Sequence, residues 1–178
     1  RVSEEAIKKY TEAVVNATAS FSHEYNRSVD TVYFGGGTPS SIPGEFIARM
    51  LSCARENFEL TDEAEITVEC NPGSDLEHVL PILYEAGVNR VSFGMQSADE
   101  AERKKLGRLS GPEHVSEAVS LARKIGFENI SLDLMIGVPC QTEKSLAKSL
   151  EFCMSEKVKH ISAYMLKIEE GTVFSRRR

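Results

Sequence analysis

The chain has 178 residues, 41% of them hydrophobic and 27% charged, with a formal net charge of −6. That length allows one domain with a sizeable core, and the composition excludes a disordered or fibrous chain. The acidic balance argues against a nucleic-acid partner, no apolar run reaches membrane-spanning length, and the opening Arg-Val-Ser-Glu-Glu is no signal peptide, so a cytoplasmic protein is expected.

From Ser3 to about Tyr25, Ile7, Tyr10, Val14, Ala17 and Phe21 recur at three- and four-residue spacing, which predicts one amphipathic helix broken by the polar Asn26-Arg27-Ser28. Val32-Tyr33-Phe34 then reads as a buried strand that ends abruptly in Gly35-Gly36-Gly37 before Thr38-Pro39-Ser40 turns the chain. The glycines lack the Gly-Lys-Ser/Thr ending of a phosphate loop, and Ser40 stands where a dinucleotide fingerprint needs its third glycine. Two readings remain: a ligand bonding to strand-end backbone, or a tight turn.

A second helix is predicted from Pro43 to Phe58, with Phe46, Ile47, Met50, Leu51 and Ala54 on one side. In the strand from Ala64 to Cys70, alternation places Ile66, Val68 and Cys70 on one face and Thr67 and Glu69 on the other. Ser74 and Glu77 have the spacing of a capping box for a helix reaching Glu85, with Pro81 expected to kink it or delay its start. A strand from Arg90 to Gln96 follows. Next come a short charged helix near Glu100 to Leu106 and a helix from Pro112 to Ile125 that buries Val115, Ala118, Val119 and Ala122. The last units are a strand Ile130 to Ile136, a helix from about Thr142 to Ser155 and a strand His160 to Leu166. Strands alternating with helices in this way predict an α/β fold with a parallel sheet.

Ligands of parallel α/β proteins bind beyond the carboxyl ends of the strands. Those ends carry Gly35-Gly36-Gly37-Thr38, Glu69 with Asn71, Gln96 with Ser97, Asp133, and Tyr164 with Lys167. Two carboxylates, an amide, glycine carbonyls and Arg108 suit a zwitterionic small molecule with hydroxyls, because carboxylates accept from hydroxyls or ammonium and a guanidinium holds a carboxylate. Nothing has the pattern of a Ser-His-Asp or Cys-His nucleophile, and no catalytic residue is assigned. His23, His78, His114 and His160 form no metal-ligand spacing, and Cys53, Cys70, Cys140 and Cys153 match neither zinc pairs nor iron–sulfur runs. The thiols read as reduced and mostly buried, and Arg176-Arg177-Arg178 as a solvated tail.

Tyr33 to Ser40, Val68-Glu69-Cys70-Asn71-Pro72-Gly73, Asn89 to Ser97, Asp133 to Thr142 and His160-Ile161-Ser162-Ala163-Tyr164 resemble, in order, the motifs of the radical S-adenosylmethionine proteins related to oxygen-independent coproporphyrinogen III oxidase. The resemblance implies a partial TIM-type (β/α)6 barrel, here about five strands without the first, in one domain over residues 1–178. It implies that Gly36 meets the methionyl end of S-adenosylmethionine and that Glu69 contacts the ligand directly. Gly37, Thr38, Gln96, Arg108 and Asp133 match positions that in the oxidases contact S-adenosylmethionine, including a second molecule, whereas Lys167 falls where the oxidase has a smaller residue. The family holds a 4Fe–4S cluster by a Cys-x3-Cys-x2-Cys run after the first strand. That run is expected upstream of Arg1, as a C-terminal domain is expected beyond Arg178, so this stretch alone should be inactive. Cys140 departs from the glycine of many relatives. Glu69 to Gly73 and Leu166 to Thr172 resemble the HemW-type heme chaperones more closely than the oxidases, which implies heme as a partner. A genuine oxidase acting on coproporphyrinogen III and a non-catalytic barrel fragment are the alternatives.

Overall fold

Each apolar run in this computed structural model is cut short by glycine or a polar turn, and a helix then carries the chain back to begin the next strand. The structure describes residues 3–25, 27–172 and 174–175; the expected tail at Arg176-Arg177-Arg178 and the helix-breaking Asn26 lie outside them. The elements are α1 (Glu4–Ser22), β1 (Val29–Phe34), a 3-10 turn (Pro39–Ser41), α2 (Gly44–Asn57), β2 (Leu60–Cys70) and α3 (Leu76–Glu85). They continue as β3 (Arg90–Gln96), α4 (Glu100–Leu106), α5 (Pro112–Ile125), β4 (Asn129–Ile136), α6 (Glu143–Ser155) and β5 (His160–Met165). The strands form one parallel half-barrel in the order β1-β2-β3-β4-β5, so every strand lies beside its sequence neighbours. This is the α/β architecture the alternation predicts.

Strand alternation divides the sheet chemically. Ile66, Val68, Val91, Phe93, Ile130 and Leu132 turn outward to the helices and make the core with Ile47, Leu51, Leu80, Leu83, Val119 and Ala122. The hollow side is polar: Glu69, Ser92, Ser131 and His160 stand side by side in register, followed by Gly94, Asp133 and Ser162. Hydrogen bonds tie this face together, with Ser92 Oγ donating to Asp133 Oδ1 at 2.8 Å and Arg90 donating to Glu65 Oε1 at 3.0 Å.

Several local expectations change. β1 is half-exposed rather than buried, being, as the barrel reading without its first strand expects, an edge strand paired only with β2 among the described residues. β2 begins at Leu60, earlier than the alternation at Ala64 indicated, because Leu60 pairs with Val29 before the register shifts. The inward side of α1 is Thr11 with the half-buried Val14, Val15 and Thr18, while Tyr10 and Phe21 are exposed. The capping box at Ser74 does not form: Asp75 occupies the N-cap, and the Ser74 hydroxyl instead meets that of Ser40 at 3.0 Å. α3 runs through Pro81 from Leu76 to Glu85.

Candidate functional site

The glycine loop is shaped by what lies next to it. A Cβ on Gly35 would stand 2.5 Å from Tyr33 Cε1 and 2.9 Å from Glu69 Oε1, so a side chain there would displace the ring and the carboxylate from each other. Gly36 follows at φ 103°, and its amide donates to Glu69 Oε2 at 3.0 Å. Tyr33 Oη donates to Glu69 Oε1 at 2.7 Å. Burial, and then the bond to Glu69, push the Tyr33 phenol above its ordinary pKa, so it remains a donor at neutral pH. Thr38 holds φ 127°, a region disfavoured for a β-branched residue, which stores strain at the turn out of the loop.

The opposite wall comes from β3, β4 and the end of α4. The ladder between β3 and β4 skips at Gly94/Gln96, a bulge that puts Gln96 at φ 66° and re-aims its side chain. Gly94 makes room for it, since a Cβ there would lie 2.9 Å from Gln96 Nε2. Asp133 stands on β4, with its carboxyl raised above the usual carboxylate range by burial, which outweighs the opposing bonds from Ser92 and Ser162. Gly107 ends α4 in a left-handed turn at φ 69°, and Arg108 follows, its amide donating to Arg103 O at 2.9 Å.

These groups meet in a cavity of about 80 Å3 lined by Gly36, Thr38, Glu69, Cys70, Asn71, Gly94, Gln96, Arg108 and Asp133. Of the residues singled out from the sequence, Gly36, Thr38, Glu69, Gln96, Arg108 and Asp133 are together there. Gly37 lines a neighbouring groove of about 820 Å3 that shares Thr38 and runs past Pro43 and Val79. Lys167 is exposed and pairs with Glu169 at 2.7 Å, and neither it nor Tyr164 lines the cavity. Ser97 turns away into the core, donating to Glu102 Oε2 at 2.7 Å.

Tyr33, Cys70 and Gly94 escaped the reading of strand ends. Tyr33 was detectable in principle, because it pairs with Thr67 and so shares the face of Glu69. Cys70 faces the core, and burial, then Glu69, push its thiol up to about 12, which makes it inert wall. The cavity is therefore rich in acceptors near β1, β2 and β4, with one guanidinium and the amides of Asn71 and Gln96 beside them. That arrangement can hold a small molecule carrying both hydrogen-bond donors and an anionic group.

Comparisons with known proteins agree on a family. The model of the Radical SAM superfamily matches residues 3–153. The chain is 36% identical over 172 residues to the heme chaperone HemW of Lactococcus lactis, covering 97% of this chain and 45% of that protein. It is 41% identical over 145 residues to the heme chaperone HemW of Bacillus subtilis, covering 81% of this chain and 38% of that one. The chain thus spans less than half the length of these curated relatives. Among solved structures it matches coproporphyrinogen III oxidase (HemN) from Escherichia coli, a radical SAM enzyme. The TM-score is 0.84 at 27% identity, over 96% of this chain and 40% of that one.

Proposed function

The chain belongs to the radical SAM superfamily, and from that premise we propose that it is the S-adenosylmethionine-binding core of a HemW-like heme chaperone, residues 1–178 forming one unit of that core. The observation that carries this reading is the convergence of Gly36, Thr38, Glu69, Gln96, Arg108 and Asp133 on one strand-end cavity. Similarity to HemW proteins along most of the chain supports the branch. Heme is then the second ligand and the cytoplasm the place of work; among the described residues no helix is long and apolar enough to cross a membrane.

The donor set fits S-adenosylmethionine. Glu69 accepts from the ammonium of its methionyl end beside the Gly36 backbone, with Gly37 supporting the loop from the adjoining groove. Arg108 neutralises its carboxylate, and Gln96 and Asp133 bond its ribose hydroxyls. When bound with a reduced cluster, S-adenosylmethionine supplies the radical chemistry of the superfamily; the residues here bind and orient it. The cluster itself is a different matter. Among the described residues no group of three His, Cys, Asp or Glu side chains could hold a metal ion, and Cys53, Cys70 and Cys153 are buried, so we assign none of them to it.

A second reading, a genuine oxygen-independent coproporphyrinogen III oxidase, is favoured by the structural likeness to HemN. One experiment separates the two. Full-length protein is reconstituted anaerobically with S-adenosylmethionine, a reductant and coproporphyrinogen III, and porphyrin products and heme binding are followed in parallel. Stoichiometric heme binding without turnover is the expected outcome. Formation of protoporphyrinogen IX would make the protein an oxidase.

A further inference from the structure

Both oxygens of Glu69 are engaged from the β1 side: Tyr33 Oη reaches Oε1 at 2.7 Å and the Gly36 amide reaches Oε2 at 3.0 Å. Tyr33 is 55% exposed, so the core does not need its ring, while its hydroxyl is held against the Glu69 carboxylate. The contact is also guarded. Any side chain at Gly35 would collide with the ring and the carboxylate at once, at 2.5 Å and 2.9 Å. Without the phenol, Glu69 would keep one anchor and regain rotation about its last torsion.

We infer that Tyr33 is a positioning residue for ligand binding: its hydroxyl fixes the Glu69 carboxylate so that the acceptor sites left over meet the ammonium of an α-amino acid group. A carboxylate has about four acceptor sites, and the two protein donors use two of them. Tyr33 need not touch the ligand. Its contribution is the ordering cost that Glu69 no longer meets at the moment of binding, which corresponds to roughly three- to tenfold in affinity. The inference rests on the functional reading above and adds to it a residue that reading did not include.

The test compares two ligands that differ at the amino-acid end. Affinities of full-length wild type, Tyr33→Phe, Gly35→Ala and Glu69→Gln are measured by equilibrium dialysis for S-adenosylmethionine and for 5′-methylthioadenosine, which lacks the ammonium and carboxylate. Tyr33→Phe should weaken S-adenosylmethionine about three- to tenfold, leave 5′-methylthioadenosine unchanged and leave the unfolding temperature unchanged. Gly35→Ala should weaken S-adenosylmethionine similarly while keeping both side chains, and Glu69→Gln should weaken it more without altering the cluster spectrum. Equal affinity of Tyr33→Phe and wild type for S-adenosylmethionine, or an equal loss for both ligands, would overturn the role of Tyr33 and leave the function standing. A wild type that binds neither ligand would overturn the function and the role of Tyr33 with it.

Discussion

At the scale of single residues, Thr11 and Asp133 each hold a polar group in an environment that penalises it. Thr11 is fully buried between α1 and α2, and its hydroxyl has no hydrogen-bond partner among the described residues. Thr11→Val keeps the shape and removes the orphaned group, so it should stabilise the fold by about 1 kcal/mol, read as a higher urea midpoint at unchanged m. For Asp133, burial raises the folded pKa above that of the unfolded chain, so the native state binds more protons in the window between the two values. Stability should fall as pH rises through that window, and Asp133→Asn should flatten the fall in urea titrations across acidic pH. Residue roles were unevenly legible in the sequence. Glu69 and Asp133 stand out as charges within apolar strands, whereas Thr11 was hidden. The eye follows Tyr10 and Phe21, but two helices that pack closely put their smaller residues at the contact and leave the large rings outside.

At the scale of elements, one buried side chain ties α4 to three neighbouring segments. Glu102 has no exposed surface, and it accepts from Ser97 at 2.7 Å, from Gln141 at 3.1 Å and from Ser145, donors that lie after β3, in the loop after β4 and in α6. Gln141 in turn accepts from the Gly137 amide at 2.7 Å and donates to Met135 O at 3.0 Å. The carboxylate therefore fixes the turn after Gln96, the helix that delivers Arg108 and the loop beyond Asp133. Glu102→Ala takes the acceptor from the buried Ser97 hydroxyl and removes bonds from the half-buried Gln141 and Ser145; it should cost about 2 kcal/mol, measured by urea denaturation, and should speed amide exchange between Gly137 and Gln141. Helix boundaries with proline or glycine punctuation were legible: α5 starts at Pro112, stops before Gly126 and buries the four residues its spacing indicates. Ser74 misled because its hydroxyl had a tertiary alternative in Ser40, and local capping loses where a long-range partner is better placed.

At the scale of the molecule, the half-barrel separates an apolar convex side from a polar hollow, and that separation creates the site. Its outline was legible because parallel strands need helical crossovers and those leave a readable period. The edge position of β1 was legible only through the family resemblance, which makes it the second strand of the barrel, since composition near Tyr33 alone is that of an interior strand. The unbroken order β1-β2-β3-β4-β5 has a further consequence, for the way the protein is made. Each strand after β1 finds a partner in the strand synthesised just before it, so among the described residues no pairing waits for a distant part of the chain. The sheet can therefore grow on the ribosome one βα unit at a time, and amide protection in stalled nascent chains should appear in the order of translation.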